Sequence, residues 1–183
     1  MTAAPSPVTA DAAGSDDLDP AASQFLTFWL GERVFAVGIE AVREIIQYGQ
    51  MTLVPRTPSF VRGVINLRGS VVPVIDLQAR LGRGRAEVGE KTCIVIFEAH
   101  RQTSHQVERV ELGLMVDAVS EVIDIDAAQV EPAPPFGSAV GREFIRGVVR
   151  RQERFITLLE TGHALDIEAL ATLCDQEQER LAA

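Results

Sequence analysis

The feature that most constrains this chain is a repeat. Ala41-Val42-Arg43-Glu44-Ile45 resembles Ala118-Val119-Ser120-Glu121-Val122, and Phe60-Val61-Arg62-Gly63-Val64 resembles Phe144-Ile145-Arg146-Gly147-Val148. After each second match comes a turn and then another apolar run that ends in an acid, Asp76 or Glu160. Matches that recur in the same order imply a duplicated structural unit. The second copy is longer between its matches, and the Pro-rich stretch from Glu131 to Gly141 absorbs the difference. Each half is rich in short β-prone runs yet too small for a large sheet. The expected architecture is therefore mainly β, with two small barrels sharing a hydrophobic core, because closure removes exposed strand edges.

The runs themselves read as hairpins. Phe25 to Leu30 and Val34 to Val37 are split by Gly31-Glu32-Arg33, and Phe60 to Leu67 and Val71 to Leu77 flank Arg68-Gly69-Ser70, with glycine where positive φ is easiest. Pro73 lacks an N–H and belongs at a bulge or a sheet edge. Further strands are expected at Thr92 to Glu98, Arg109 to Val116, Val119 to Ile125, Phe144 to Val149 and Phe155 to Leu159. Ile39, Val42, Ile45 and Ile46 recur at helical spacing, which predicts a short amphipathic helix from Ile39 to Gln47. A C-terminal helix is expected to open with Asp166 as N-cap and to carry Ile167, Leu170, Leu173 and Cys174 on one face. Residues 1–22 hold almost no large apolar side chains and cannot offset the entropy of ordering, so they read as a disordered tail. The folded domain is then 23–175, and 176–183 is the end of the last helix and a tail.

Charge and cysteine usage exclude several classes. Lys+Arg 17 against Asp+Glu 26 gives a net charge of -9, which opposes nucleic-acid or anionic-membrane binding and favours protein or neutral partners. Cys93 and Cys174 have no CxxC partner, so neither a disulfide framework nor a zinc site is suggested and a reducing cytoplasm is the natural setting. The first residues lack a basic n-region and an apolar h-region, and no apolar stretch is long enough to span a bilayer.

Enzyme chemistry finds no foothold. GxSxG, P-loop and HExxH patterns are missing, and Leu81-Gly82-Arg83-Gly84-Arg85 lacks the third glycine of a phosphate-binding turn. His100 and His105 flank a polar hairpin tip without further ligands near them, and His163 reads as a turn residue. Asp117, Glu121, Asp124 and Asp126 lie on a strand that sends neighbours to opposite faces, so they read as a solvated edge and not a calcium site. Arg146, Arg150, Arg151 and Arg154 are the densest basic group, but no aromatics interleave them as in a nucleic-acid-binding barrel. No catalytic residue, metal ligand or cofactor is expected.

The run from Phe60 to Leu77, FVRGVINLRGSVVPVIDL, resembles the signature of CheW-like domains: a strand ending in Asn-Leu-Arg-Gly, then Val-x-Pro-Val-x-Asp-Leu. Phe25 to Gly31, Ala41 to Ile45, Gly113 to Val122 and Ile125 to Pro134 extend the likeness over residues 24 to 173, while the tail and the long polar hairpin from His100 to Arg109 depart from it. The resemblance implies two SH3-like five-stranded barrels with short helices. It further implies a non-enzymatic adaptor that couples chemoreceptors to the histidine kinase CheA, cytoplasmic and recruited to receptor arrays; service in a non-flagellar system governing pili or gene expression is the alternative. The implied partners are the receptor's cytoplasmic hairpin tip, held in the groove between the barrels, and the regulatory domain of CheA at the barrel ends. On matching positions Arg68 is the main receptor contact, with Val42, Glu44 and Ile45 beside it, and Gly63, Asn66 and Gly69 shape the turn.

Overall fold

The computed structural model describes residues 22–102, 104–133 and 144–160. Among these residues ten strands follow one another: β1 (Ala22–Leu30), β2 (Arg33–Gly38), β3 (Val42–Gln47), β4 (Val61–Leu67), β5 (Ser70–Asp76), β6 (Cys93–Gln102), β7 (Val107–Val116), β8 (Ala118–Asp126), β9 (Ile145–Arg151) and β10 (Arg154–Leu159). The single α-helix among the described residues, α1 (Leu77–Arg80), follows β5. The C-terminal helix expected from Asp166, the tail before Ala22 and His163 lie outside the described residues.

The strands form two five-stranded sheets, ordered β8-β1-β2-β10-β9 and β3-β6-β7-β5-β4. Strands β1–β5 and β6–β10 are the two copies of the repeat, element for element, and the sheets match under that exchange. An antiparallel hairpin (β1–β2 or β6–β7) sits in the middle, joined in parallel to β10 or β5. Each copy therefore does not close its own barrel. The central hairpin of one copy is flanked by the last three strands of the other, a strand exchange that the repeat alone does not reveal.

The chain closes both barrels in the same way. After β3 it crosses to β4, where Thr52 and Val64 exchange two backbone hydrogen bonds of 2.9 and 2.8 Å; after β8 it crosses to β9, where Glu131 and Val148 do the same at 2.9 and 2.8 Å. The repeated glycines make these crossings possible. A Cβ on Gly63 would lie 2.5 Å from the Thr52 carbonyl oxygen, and one on Gly147 would lie 2.5 Å from Val130 Cγ1 and 2.8 Å from the Glu131 oxygen.

Strand alternation sorts the side chains into three cores. Val72, Val74, Ile94, Ile96 and Met115 fill one barrel, and Phe25, Ala36, Ile123, Ile125, Val149, Ile156 and Leu158 fill the other. The opposite faces of the two central hairpins meet between the barrels through Leu26, Phe28, Phe35, Val37, Val95, Phe97, Leu112 and Leu114. Fully burying one such side chain contributes about 1.5–3 kcal/mol, so this shared layer holds the barrels together.

One element departs from expectation. Residues 39–47 are not a helix: only Ile39–Ala41 forms a 3₁₀ turn, and Val42–Gln47 is β3, paired with β6. A bulge is the reason for the misleading spacing. The register slips at Arg43, so Val42 faces Phe97 while Ile45 faces Val95, and the extra residue puts Val42 and Ile45 on the same side of the strand three positions apart. Pro73 sits one residue before β5 begins its parallel pairing with β7, where the strand is paired on one side only. The β6–β7 ladder runs on to Gln102↔Val107, past the end of its pairing with β3 at Phe97, and accounts for the long hairpin.

Candidate functional site

The β4–β5 turn is built from its backbone outward. Leu67 pairs with Ser70, leaving Arg68 and Gly69 as the two central residues, with φ 51 and 86. Positive φ at both positions marks the primed hairpin turn that suits strand twist, and glycine takes it without strain whereas arginine does not. The Asn66 side chain steadies the turn, its Oδ1 accepting from the Gly69 N–H at 3.0 Å. Arg68 is lifted clear of the sheet, its side chain 74% exposed.

Across the barrel's open edge, Arg68 Nη2 donates to Glu44 Oε2 at 2.9 Å. Glu44 is on β3 and Arg68 directly follows β4, the two edge strands of one sheet, so the ion pair bridges the seam at which the barrel closes. Val42 and Ile45 stand on the other side of β3, brought together by the bulge; Val42 is half-buried against the shared core, and Ile45 is 43% exposed. Arg43, the bulged residue, pairs with Glu98 at 3.1 Å. The structure thus joins Arg68 to Glu44 and Val42 to Ile45, as two adjoining features of one strand. Gly63 is not part of the turn: it lies in the middle of β4 under Thr52, where it permits the crossing segment to approach.

At the other end of the hairpin from the turn lies a polar staple that motif reading did not single out. Asp76 is fully buried at the end of β5. Its Oδ1 accepts from the Ala79 N–H at 3.2 Å and caps α1, while its Oδ2 accepts from the Ala86 N–H at 2.9 Å and from Arg62 Nε at 3.2 Å. Arg62 Nη2 lies 3.1 Å from the same carboxylate oxygen and also donates to the Ala86 carbonyl. A buried carboxylate met by an arginine and two backbone donors is fully satisfied, and the staple fixes α1 and the loop after it to the barrel.

That anchored segment also joins the barrels. Gln78 Nε2 donates to Asp117 Oδ2 at 2.8 Å, the same oxygen accepts from the Gly31 N–H at 2.6 Å, and Arg83 Nη1 donates to the Leu30 carbonyl at 3.1 Å. Arg80 lies between the equivalent phenylalanines of the two copies, 5.0 Å from the ring of Phe60 and 5.0 Å from that of Phe144, with its Nε buried and without an acceptor among the described residues. Among the described residues no group of three or more His, Cys, Asp or Glu side chains is placed to hold a metal ion, and no helix is long and apolar enough to cross a membrane.

The fold and the turn define a duplicated, strand-exchanged pair of small five-stranded barrels that presents an arginine-tipped hairpin beside an apolar strand. Comparison with known proteins agrees with that description: the CheW-like domain family matches residues 24–169. The chain is 37% identical over 137 residues to the probable chemotaxis protein CheW of Rhizobium etli, covering 75% of this chain and 83% of that protein. It is 32% identical over 148 residues to the chemotaxis protein CheW of Klebsiella aerogenes, covering 81% and 84%. The crystal structure of the scaffolding protein TtCheW from Thermoanaerobacter tengcongensis superimposes with a TM-score of 0.66 at 33% identity, covering 79% of this chain and 88% of that one. The chain belongs to the CheW-like family.

Proposed function

We propose that this protein is a chemotaxis coupling adaptor: a scaffold, without catalytic activity of its own, that links chemoreceptors to the histidine kinase CheA. Family membership and relatives named as chemotaxis proteins support the coupling role, and a relative described as a scaffolding protein supports a structural and not a chemical task. On this reading it works in the cytoplasm at receptor arrays.

The observation that carries the receptor contact is Arg68. Held at positive φ on an exposed turn and steered by Glu44, its guanidinium is aimed outward before any partner arrives, so little rotamer freedom is lost on binding. The hairpin tip of a receptor, a pair of helices, would lie along Arg68, Glu44 and the apolar pair Val42 and Ile45, with arginine bonding carboxylates or free carbonyls at the tip. The regulatory domain of CheA would take the barrel ends.

Co-sedimentation with a receptor cytoplasmic fragment, with and without CheA, tests the assignment. Recruitment of CheA to receptor fragments only when this protein is present is the expected result. A protein that joins neither partner is not such an adaptor.

A further inference from the structure

The outer face of the second barrel carries a row of side chains that the adaptor reading leaves unused. Across the β9–β10 ladder Arg150 stands directly opposite Phe155, and the parallel register of β10 on β2, with Ile156 beside Val34, sets Phe155 beside Arg33 one residue earlier. Strand alternation puts all three on one face. Ile156, Leu158 and Val149 point into the barrel, whereas Arg33, Phe155 and Arg150 point out of it, on the side that carries Phe35 and Leu159. All three are exposed, Phe155 at 61%. In the next row along the strands Thr157 and Val148 are half-buried and extend the apolar surface around the phenylalanine.

Neither Arg33 nor Arg150 forms an ion pair with a carboxylate among the described residues, and the nearest acids in sequence, Glu32 and Glu153, lie in the adjoining turns. A third guanidinium borders the row. Arg83 Nη1 donates to the carbonyl of Leu30, the register partner of Arg33, and its guanidinium lies 5.8 Å from the centroid of the Phe35 ring. In a chain of net charge -9, this local concentration of positive charge around an exposed ring selects a partner of opposite sign. The spacing narrows the choice. Neighbouring strands lie about 4.8 Å apart, so Arg33 and Arg150 stand about 10 Å apart with Phe155 between them. On an α-helix, residues i and i+7 share a face about 10.5 Å apart along the axis, and i+4 lies between them.

We propose that the Arg33–Phe155–Arg150 row docks an acidic helix of a partner protein, one that presents two carboxylates two turns apart with a large apolar side chain between them. The helix lies across β2, β10 and β9, its apolar side chain against Phe155 and its acids on the two arginines, whose planar forks match carboxylates. Exposed ion pairs are individually weak, so burial of Phe155 supplies most of the affinity while the flanking arginines fix which helices fit. A nucleic acid could also stack on the ring, but the net charge of -9 opposes its approach. The row belongs to the other sheet from the one that carries the Arg68 turn, so the inference does not depend on the adaptor reading.

Titration of the full-length protein into labelled synthetic peptides, read by fluorescence anisotropy at about 20 mM salt, where charges are weakly screened, tests this. The probe is an alanine-rich helical peptide of about 18 residues with glutamate, leucine and glutamate at i, i+4 and i+7. The expected result is saturable binding that falls about tenfold or more when both glutamates become glutamine, and likewise when the second glutamate is moved to i+5, on the far side of the helix at the same net charge. Failure of the first peptide to bind, or equal binding of the i+5 peptide, would overturn the proposal, as would tighter binding of a single-stranded oligonucleotide at the same salt. In the protein, Arg33→Gln with Arg150→Gln, and separately Phe155→Ser, should each weaken the first peptide about tenfold, and unchanged affinity in either well-folded variant would place the contact elsewhere. The peptide pair, which alters no residue of the protein, keeps the result readable if a variant misfolds.

Discussion

The two hairpins β4–β5 and β9–β10 share a backbone and differ in chemistry. Both begin at a phenylalanine whose carbonyl accepts from the acid that ends the hairpin, Asp76 N–H to Phe60 at 2.7 Å and Glu160 N–H to Phe144 at 3.0 Å. In both, a glycine lies under a crossing segment and the turn holds two residues at positive φ, Arg68-Gly69 in one and Gln152-Glu153 in the other. Among the described residues the buried polar chemistry occurs once. Arg62 is drawn onto buried Asp76, whereas its counterpart Arg146 is exposed and forms no ion pair with Glu160. Duplication has kept what the backbone geometry requires and released what it does not.

The sharpest way to break this comparison is at the acids. Asp76→Asn should cost about 3 kcal/mol or more, because it leaves Arg62 confined without its counter-charge. Glu160→Gln should stay within about 0.5 kcal/mol. Denaturant unfolding of both variants measures the contrast, and equal losses would mean that the second hairpin has a staple of its own.

At the glycines the copies should instead behave alike. Gly63→Ala and Gly147→Ala each place a methyl inside contact distance of a neighbouring segment and should cost about 2–3 kcal/mol by the same measurement. Gly63→Ala should be the worse of the two, since φ is 155 there and the obstacle is a backbone oxygen.

At the turns the contrast moves from stability to binding. Arg68→Glu should weaken receptor binding by about 2 kcal/mol, roughly thirtyfold, through lost bonds and repulsion by the partner and by Glu44. Gln152→Glu should leave receptor affinity unchanged. Titration against a receptor fragment, with melting curves run alongside, reads both. A well-folded Arg68→Glu protein of normal affinity would move the contact elsewhere.

The smallest effect has the opposite sign. Replacing Gln152-Glu153 by Asn-Gly relieves two non-glycine residues held at φ 48 and 63 and should stabilise the protein by about 1 kcal/mol, seen as a modest rise in melting temperature.

These contrasts also explain what could be read in advance. Strands, hairpins and the duplication were legible because alternation and glycine placement are local. β3 was not, since the bulge at Arg43 gives strand residues a helical spacing. The strand exchange was hidden because alternation tells which face a residue takes and not which strand lies beside it. Arg68 was recognisable only through its motif, and its partnership with Glu44, 24 positions away, only through the closed barrel. The burial of Asp76 against Arg62 is not legible in the sequence, because a charge at a strand end is ordinarily solvated.

The exchange of strands has a consequence for synthesis. As the chain leaves the ribosome from its N-terminus, β1 and β2 emerge first, yet their flanking strands β8, β9 and β10 emerge last. The nascent hairpin must wait with its β1 edge unpaired until β8 ends at Asp126 and its β2 edge unpaired until β10 ends at Leu159, the kind of long-range closure that slows folding and invites pairing with the wrong chain. β3, β4 and β5 likewise wait for β6 and β7. Folding is thus delayed until nearly the whole domain is available, and a ribosome that stalls midway releases two half-sheets, each complementary to a half that was never made.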